Sequence, residues 1–86
     1  MGSVAITYRL MPADVSTDLK PIQEQIRKIA GPALKGTQVK DVAFGLRAIL
    51  VLAVVDDASG AGEKLESGLA AIPGVESVEA IDVTLI

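Results

Sequence analysis

The chain has 86 residues and a formal net charge of −3, with half of its residues apolar, no cysteine, no histidine, no tryptophan, one tyrosine and one phenylalanine. That length fits one domain, and the absent residue types exclude disulfides, thiolate chemistry and the commonest general base and metal ligand. Acidic balance and near-absence of aromatics argue against an RNA-stacking surface or a phosphate-binding footprint.

The first predicted element is a half-buried strand. Val4, Ile6, Tyr8 and Leu10 alternate with Ala5, Thr7 and Arg9 until Pro12 stops the run. Asp14, Ser16, Thr17 and Asp18 form a turn. A helix follows with Leu19, Ile22, Ile26 and Ile29 on one face, and Pro21 is tolerated only in its first turn, so Asp18 is the predicted N-cap. Gly31-Pro32 ends the helix and Gly36 is read as a loop. The second strand runs from about Gln38 to Ala43, with the character of a sheet edge because Lys40 and Asp41 are polar. The third, Leu46 to Val55, is apolar on both faces and belongs at the centre of the sheet. A second helix from Ala61 to Ile72 turns Ala61, Leu65, Leu69 and Ile72 inward and ends at Pro73-Gly74. The last strand spans Val75 to Ile86, with Ile81, Val83 and Leu85 alternating against Ala80, Asp82 and Thr84.

The order βαββαβ predicts one α+β domain over residues 1–86: a ferredoxin-like sandwich with a four-stranded antiparallel sheet in the order 4-1-3-2 and both helices on one face. The other face stays open. On the third strand it carries either Ile49, Val51, Ala53 and Val55 or Ala48, Leu50, Leu52 and Val54. Both sets are apolar, so a partner or a second copy is one expected cover. The longest apolar run, about ten residues, is too short to span a bilayer. Met1-Gly2-Ser3 leads directly into the first strand without a signal-peptide pattern, so a cytoplasmic protein is expected.

Little in the sequence carries reaction chemistry. Gly60-Ala61-Gly62 precedes a helix, but Leu65 stands where a dinucleotide loop needs its third glycine, so a helix-start turn is the simpler reading. Asp56 and Asp57 are adjacent, and neighbouring strand residues point to opposite faces rather than at one cation. No serine or threonine has a plausible base. Phe44-Gly45-Leu46-Arg47 stands apart, because the only phenylalanine falls at the tip between two strands beside a turn-permitting glycine. The ring is either a lid over the end of the core or a plug for another molecule's pocket.

The stretch Asp41–Asp57, with its Phe44-Gly45-Leu46 turn and long apolar strand, resembles the hairpin of the translation elongation factor 1-beta family. The opening Met1-Gly2-Ser3-Val4 with Met11-Pro12, the run Ile72-Pro73-Gly74-Val75 and the ending Ile81-Asp82-Val83 resemble its archaeal branch, and the likeness covers essentially the whole chain. The resemblance implies a guanine-nucleotide exchange factor for the GTPase elongation factor 1-alpha, acting without covalent chemistry and without a cofactor of its own. It implies two contact ends. Phe44, Gly45, Leu46 and Arg47 would meet the second domain of the GTPase, and the C-terminal end, with Asp57, Leu85 and Ile86, would enter its nucleotide domain near the Mg²⁺ site. Direct nucleic-acid or membrane contact is not expected, and self-association is left to the open sheet face. Relatives commonly end in basic residues, whereas no lysine or arginine follows Lys64 here. Wedging of the switch region, or a basic residue from elsewhere, then replaces a cation from the tail. The competing reading is an ACT-like small-molecule regulatory module, which shares the βαββαβ order.

Overall fold

The computed structural model describes residues 2–42, 45–56 and 60–86. Strand β1 spans Ser3–Pro12, helix α1 Leu19–Ala30, β2 Leu34–Asp41, β3 Arg47–Asp56, helix α2 Ala61–Ala70 and β4 Val75–Leu85, with a 3₁₀ turn at Gly31–Ala33. The strands form one sheet in the order β2-β3-β1-β4, the predicted 4-1-3-2 read from the other edge, and all three pairings are antiparallel. The α+β ferredoxin-like arrangement is therefore as expected.

Local chemistry accounts for the boundaries. The Asp14 carboxylate accepts hydrogen bonds from Ser16 N–H at 2.7 Å and Ser16 Oγ at 2.6 Å, which folds the chain back after β1. These bonds hold the Asp14 carboxyl below the ordinary carboxylate range. Asp18 caps α1 by accepting from Lys20 N–H at 3.1 Å, and Pro21 lies in the first turn where its missing N–H costs nothing. Gly31 leaves the helix at φ 54°, while its N–H still donates to the carbonyl of Arg27. Gly74 sits at φ 93°, a conformation side chains disfavour, and reverses the chain between α2 and β4.

The sheet's register settles which face of β3 is covered. Val51 pairs with Tyr8 and Ile49 with Leu10. Directly paired residues point to the same side, so Val4, Ile6, Tyr8 and Leu10 share the helix side with Ile49, Val51, Ala53 and Val55. Ile22, Ile26 and Ala30 of α1, Leu65 and Leu69 of α2, and Ile72 close this layer into the core. Leu50, Leu52 and Val54 thus belong to the open face. Gly68 lets the helices approach, since a Cβ there would lie 2.9 Å from Cγ2 of Ile29.

Four expectations need correction. Gly36 lies inside β2, which starts at Leu34 and ends at Asp41, because pairing with β3 runs through Leu34↔Ala53 and Gly36↔Leu52 with a bulge between them. The second helix ends at Ala70, with Ile72 buried in the turn that follows. Ile29 is not a core residue of α1, being 37% exposed. The regular alternation expected of Ile81, Val83 and Leu85 is broken at Ile81. Tyr8 pairs with Ala80 and Thr7 with Asp82, so Ile81 is the extra residue of a bulge. Val83 and Leu85 then pair with Ile6 and Val4 on the helix side, yet no helix reaches over them, and Val83 is 60% exposed.

Candidate functional site

The molecule measures 42 × 22 × 17 Å. Ten-residue strands extend roughly 33 Å, so the long axis follows the strands and the domain has two separated ends. The β2–β3 connection lies at one end. Asp56 pairs with Ser3 at the other, where β4 also finishes beside Val4.

At the hairpin end, Val42 N–H donates to the carbonyl of Leu46 at 2.8 Å and closes the loop. Gly45 takes φ 79°, the left-handed conformation expected of it. Leu46 is half-buried and Arg47 is exposed at the start of β3, paired with Asp41. Phe44 lies outside the described residues. Val15, which the sequence reading passed over, stands close to the loop. Its Cγ1 is 3.8 Å from where a Cβ on Gly45 would lie, and the side chain is 60% exposed. Its signal was an apolar residue lodged between Asp14 and Ser16 in an otherwise polar turn. Val42 is exposed as well, so Val15 and Val42 form an apolar margin around the tip.

At the opposite end, Leu85 and Ile86 are 73% and 74% exposed. Both residues nevertheless take part in the strand's pairing. Leu85 pairs with Val4, and Ile86 N–H donates to the carbonyl of Ser3 at 2.9 Å. The backbone is held to the last residue while both side chains face outward. Gly2, Ser3, Asp56 and Ile86 line an open depression there. Asp57 lies outside the described residues. Val83 extends this apolar end toward α2 and was not singled out from the sequence, because its place on an edge strand, beside α2 rather than beneath it, is a property of packing.

Beside Val83, between α2 and β4, an open depression of about 350 Å³ is lined by Ile6, Tyr8, Gly62, Ala80 and the acidic Glu63 and Glu66. Tyr8 forms its floor, and its hydroxyl donates to the carbonyl of Gly62 at 2.7 Å. A Cβ on Gly62 would come within 2.9 Å of Cδ1 of Ile6, so this glycine allows close approach of the helix to the sheet. Gly60, at φ 68°, precedes α2 as its N-cap residue. Both glycines thus have local structural roles at a helix start. Burial, and secondarily the nearby Glu66 carboxylate, push the Tyr8 hydroxyl above its ordinary value of 10.0. A group raised in the folded state contributes stability that is full below its unfolded value and is lost as pH rises through the folded one. Tyr8→Phe should therefore cost about 1 kcal/mol at neutral pH through the lost hydrogen bond. The gap between the two proteins should narrow as pH rises above the ordinary tyrosine value. Urea melts of both proteins from neutral to alkaline pH measure this, and a constant gap would contradict it.

Among the described residues no group of three or more acidic, histidine or cysteine side chains is arranged to hold a metal ion, and no helix is long and apolar enough to cross a membrane. The arrangement is a ferredoxin-like domain whose most exposed apolar side chains, Val15, Val83, Leu85 and Ile86, lie toward its two ends.

The family model for the EF-1 guanine nucleotide exchange domain matches residues 5–86. Elongation factor 1-beta of Archaeoglobus fulgidus is 40% identical over the full length of both chains. The protein of that name from Methanoregula boonei is 42% identical over 99% of each. That of Methanococcoides burtonii is 40% identical over 92% of this chain and 91% of its own. The chain belongs to the EF-1 guanine nucleotide exchange domain family.

Proposed function

We propose that this domain promotes exchange of GDP for GTP on the translation elongation GTPase, elongation factor 1-alpha, by gripping it with its two ends. The observation that carries this is the match of the family across residues 5–86, which takes in both ends. The outward apolar side chains at those ends support it, because exposed apolar groups at separated points suit docking to another protein.

The hairpin end, with Phe44, Gly45, Leu46 and Arg47, anchors the domain on the GTPase. The opposite end, with Asp57, Leu85 and Ile86, acts on the nucleotide domain. No covalent step is required. A protein that binds the nucleotide-free GTPase more tightly than the GDP-bound form weakens GDP by the same factor that GDP weakens it. The Mg²⁺ and the nucleotide are the partner's, and the domain contributes shape. Leu85 and Ile86 work by apolar contact against the switch region.

Sub-stoichiometric domain should accelerate release of a fluorescent GDP analogue from elongation factor 1-alpha over many turnovers. Release that stays at the intrinsic rate across micromolar concentrations of the domain would refute this function.

A further inference from the structure

The depression between α2 and β4 combines two surfaces that an apolar wedge alone does not call for. Its bed is apolar, with Ile6 and Tyr8 of β1 beside Val83 of β4. Small residues hold it open: Gly60 and Gly62 stand at the start of α2, and Ala80 lies on β4. Its α2 lip is acidic. Glu63 and Glu66 both line it, about one helical turn apart, and both are exposed. Neither forms an ion pair with another described residue. Lys64, the only cation of α2, borders a different hollow, toward Ile29 and Ala33. The groove therefore presents an apolar bed with negative charge along one side.

We propose that this groove receives a long basic side chain, arginine or lysine, from the nucleotide domain of elongation factor 1-alpha. The aliphatic stem lies on Ile6 and Val83, and the cationic head rests against the carboxylates of Glu63 and Glu66. The inference rests on the exchange function proposed above and names the partner chemistry that this end selects. Charge and shape together choose the occupant. An apolar side chain would use the bed and leave the carboxylates idle, while an acidic one would be repelled. A bare inorganic cation would use the carboxylates and gain nothing from the bed. Only a side chain with an apolar stem and a charged tip uses both. A whole helix, about 10–12 Å across with its side chains, does not fit a depression of about 350 Å³.

The groove also lies where such a contact would count. Val83 and Leu85 share one side of β4, roughly 7 Å apart along the strand, so the groove continues into the exposed apolar end. A basic side chain seated here would fix the angle at which Leu85 and Ile86 meet the GTPase. The bed itself is pre-formed. The Tyr8 ring is 1% exposed and its hydroxyl already donates to the carbonyl of Gly62, so nothing beneath the occupant has to rearrange.

Binding of the nucleotide-free GTPase to the full chain, measured across a salt series, tests the charged lip. Glu63→Gln with Glu66→Gln should weaken binding at least tenfold at low salt and flatten the salt dependence of what remains. Glu24→Gln with Glu76→Gln makes the same change of net charge on α1 and at the start of β4, away from the groove, and should weaken binding about twofold at most. Ala80→Leu, which fills the groove and leaves the carboxylates in place, should also weaken binding at least tenfold. Occupancy can be read directly, because Tyr8 is the only tyrosine of the chain. With its ring isotope-labelled, its magnetic-resonance signal should move when the GTPase saturates the parent domain, and should move less in the Glu63→Gln, Glu66→Gln variant. Equal losses in the two charge variants would overturn the proposal. So would a Tyr8 signal that stays in place in a complex that still releases GDP, and that result would leave the exchange function standing. Failure of the parent domain to speed GDP release would instead remove that function, and this inference with it.

Discussion

Phe44→Ala is expected to weaken binding of the GTPase by about 1–3 kcal/mol, as loss of an aromatic anchor does, and to leave the melting temperature of the free domain nearly unchanged. The surroundings of the tip favour an outward role. Gly45 takes a left-handed turn next to it, and Val15 and Val42 on either side are already exposed. An apolar margin around an aromatic tip suits a pocket that receives the ring and excludes water around it. If the ring instead covered the end of the core, its removal would cost about 3–5 kcal/mol of stability. Binding affinity and thermal stability measured on the same variant separate the two roles. A large loss of stability with affinity intact would retire the anchor.

Much of the fold was legible because its local signals agreed with one another. The alternation of Val4, Ile6, Tyr8 and Leu10, the Asp18 cap with Pro21 in the first turn, and the unbroken apolar run of β3 each pointed to the element that formed. Where the sequence misled, the deciding forces were non-local. Gly36 resembles loop punctuation, but β2 is an edge strand that gains ladder bonds with β3 along Leu34–Asp41, and this outweighs the weak strand preference of one glycine. Ile81, Val83 and Leu85 alternate like a buried strand. Their exposure is decided by the bulge opposite Thr7 and Tyr8 and by where the helix layer ends. The two candidate sets on β3 could not be told apart by pattern, since both are apolar. Only pairing with β1 puts Val51 beside Tyr8 in the core and Leu52 beside Thr7 in the open. Of the candidate site, Gly45, Leu46, Arg47, Leu85 and Ile86 were readable because a resemblance pointed to them. Val15 and Val83 were not, because each becomes notable only by being left uncovered after packing.

The double substitution Leu85→Ser with Ile86→Ser is expected to slow GDP release in the presence of the domain at least tenfold, equivalent to about 1.4 kcal/mol of transition-state stabilisation. Substitution is a cleaner test than truncation. Ile86 N–H bonds to Ser3 and Leu85 pairs with Val4, so deleting the two residues would also strip the end of the sheet. The side chains themselves are nearly three-quarters exposed, and polar replacements should leave the free domain's stability within about 0.5 kcal/mol of the parent. An apolar pair fixed by its own backbone at the tip of a strand is a rigid wedge. It loses little conformational freedom on docking, so more of its contact energy remains to favour the nucleotide-free state. Because neither side chain is charged, the tenfold defect should persist from low to high salt, whereas a defect arising from a lost cation would shrink as salt screens it. A double variant that exchanges at the parent rate would remove β4 from the mechanism and transfer the action at this end to the segment between Asp56 and Gly60.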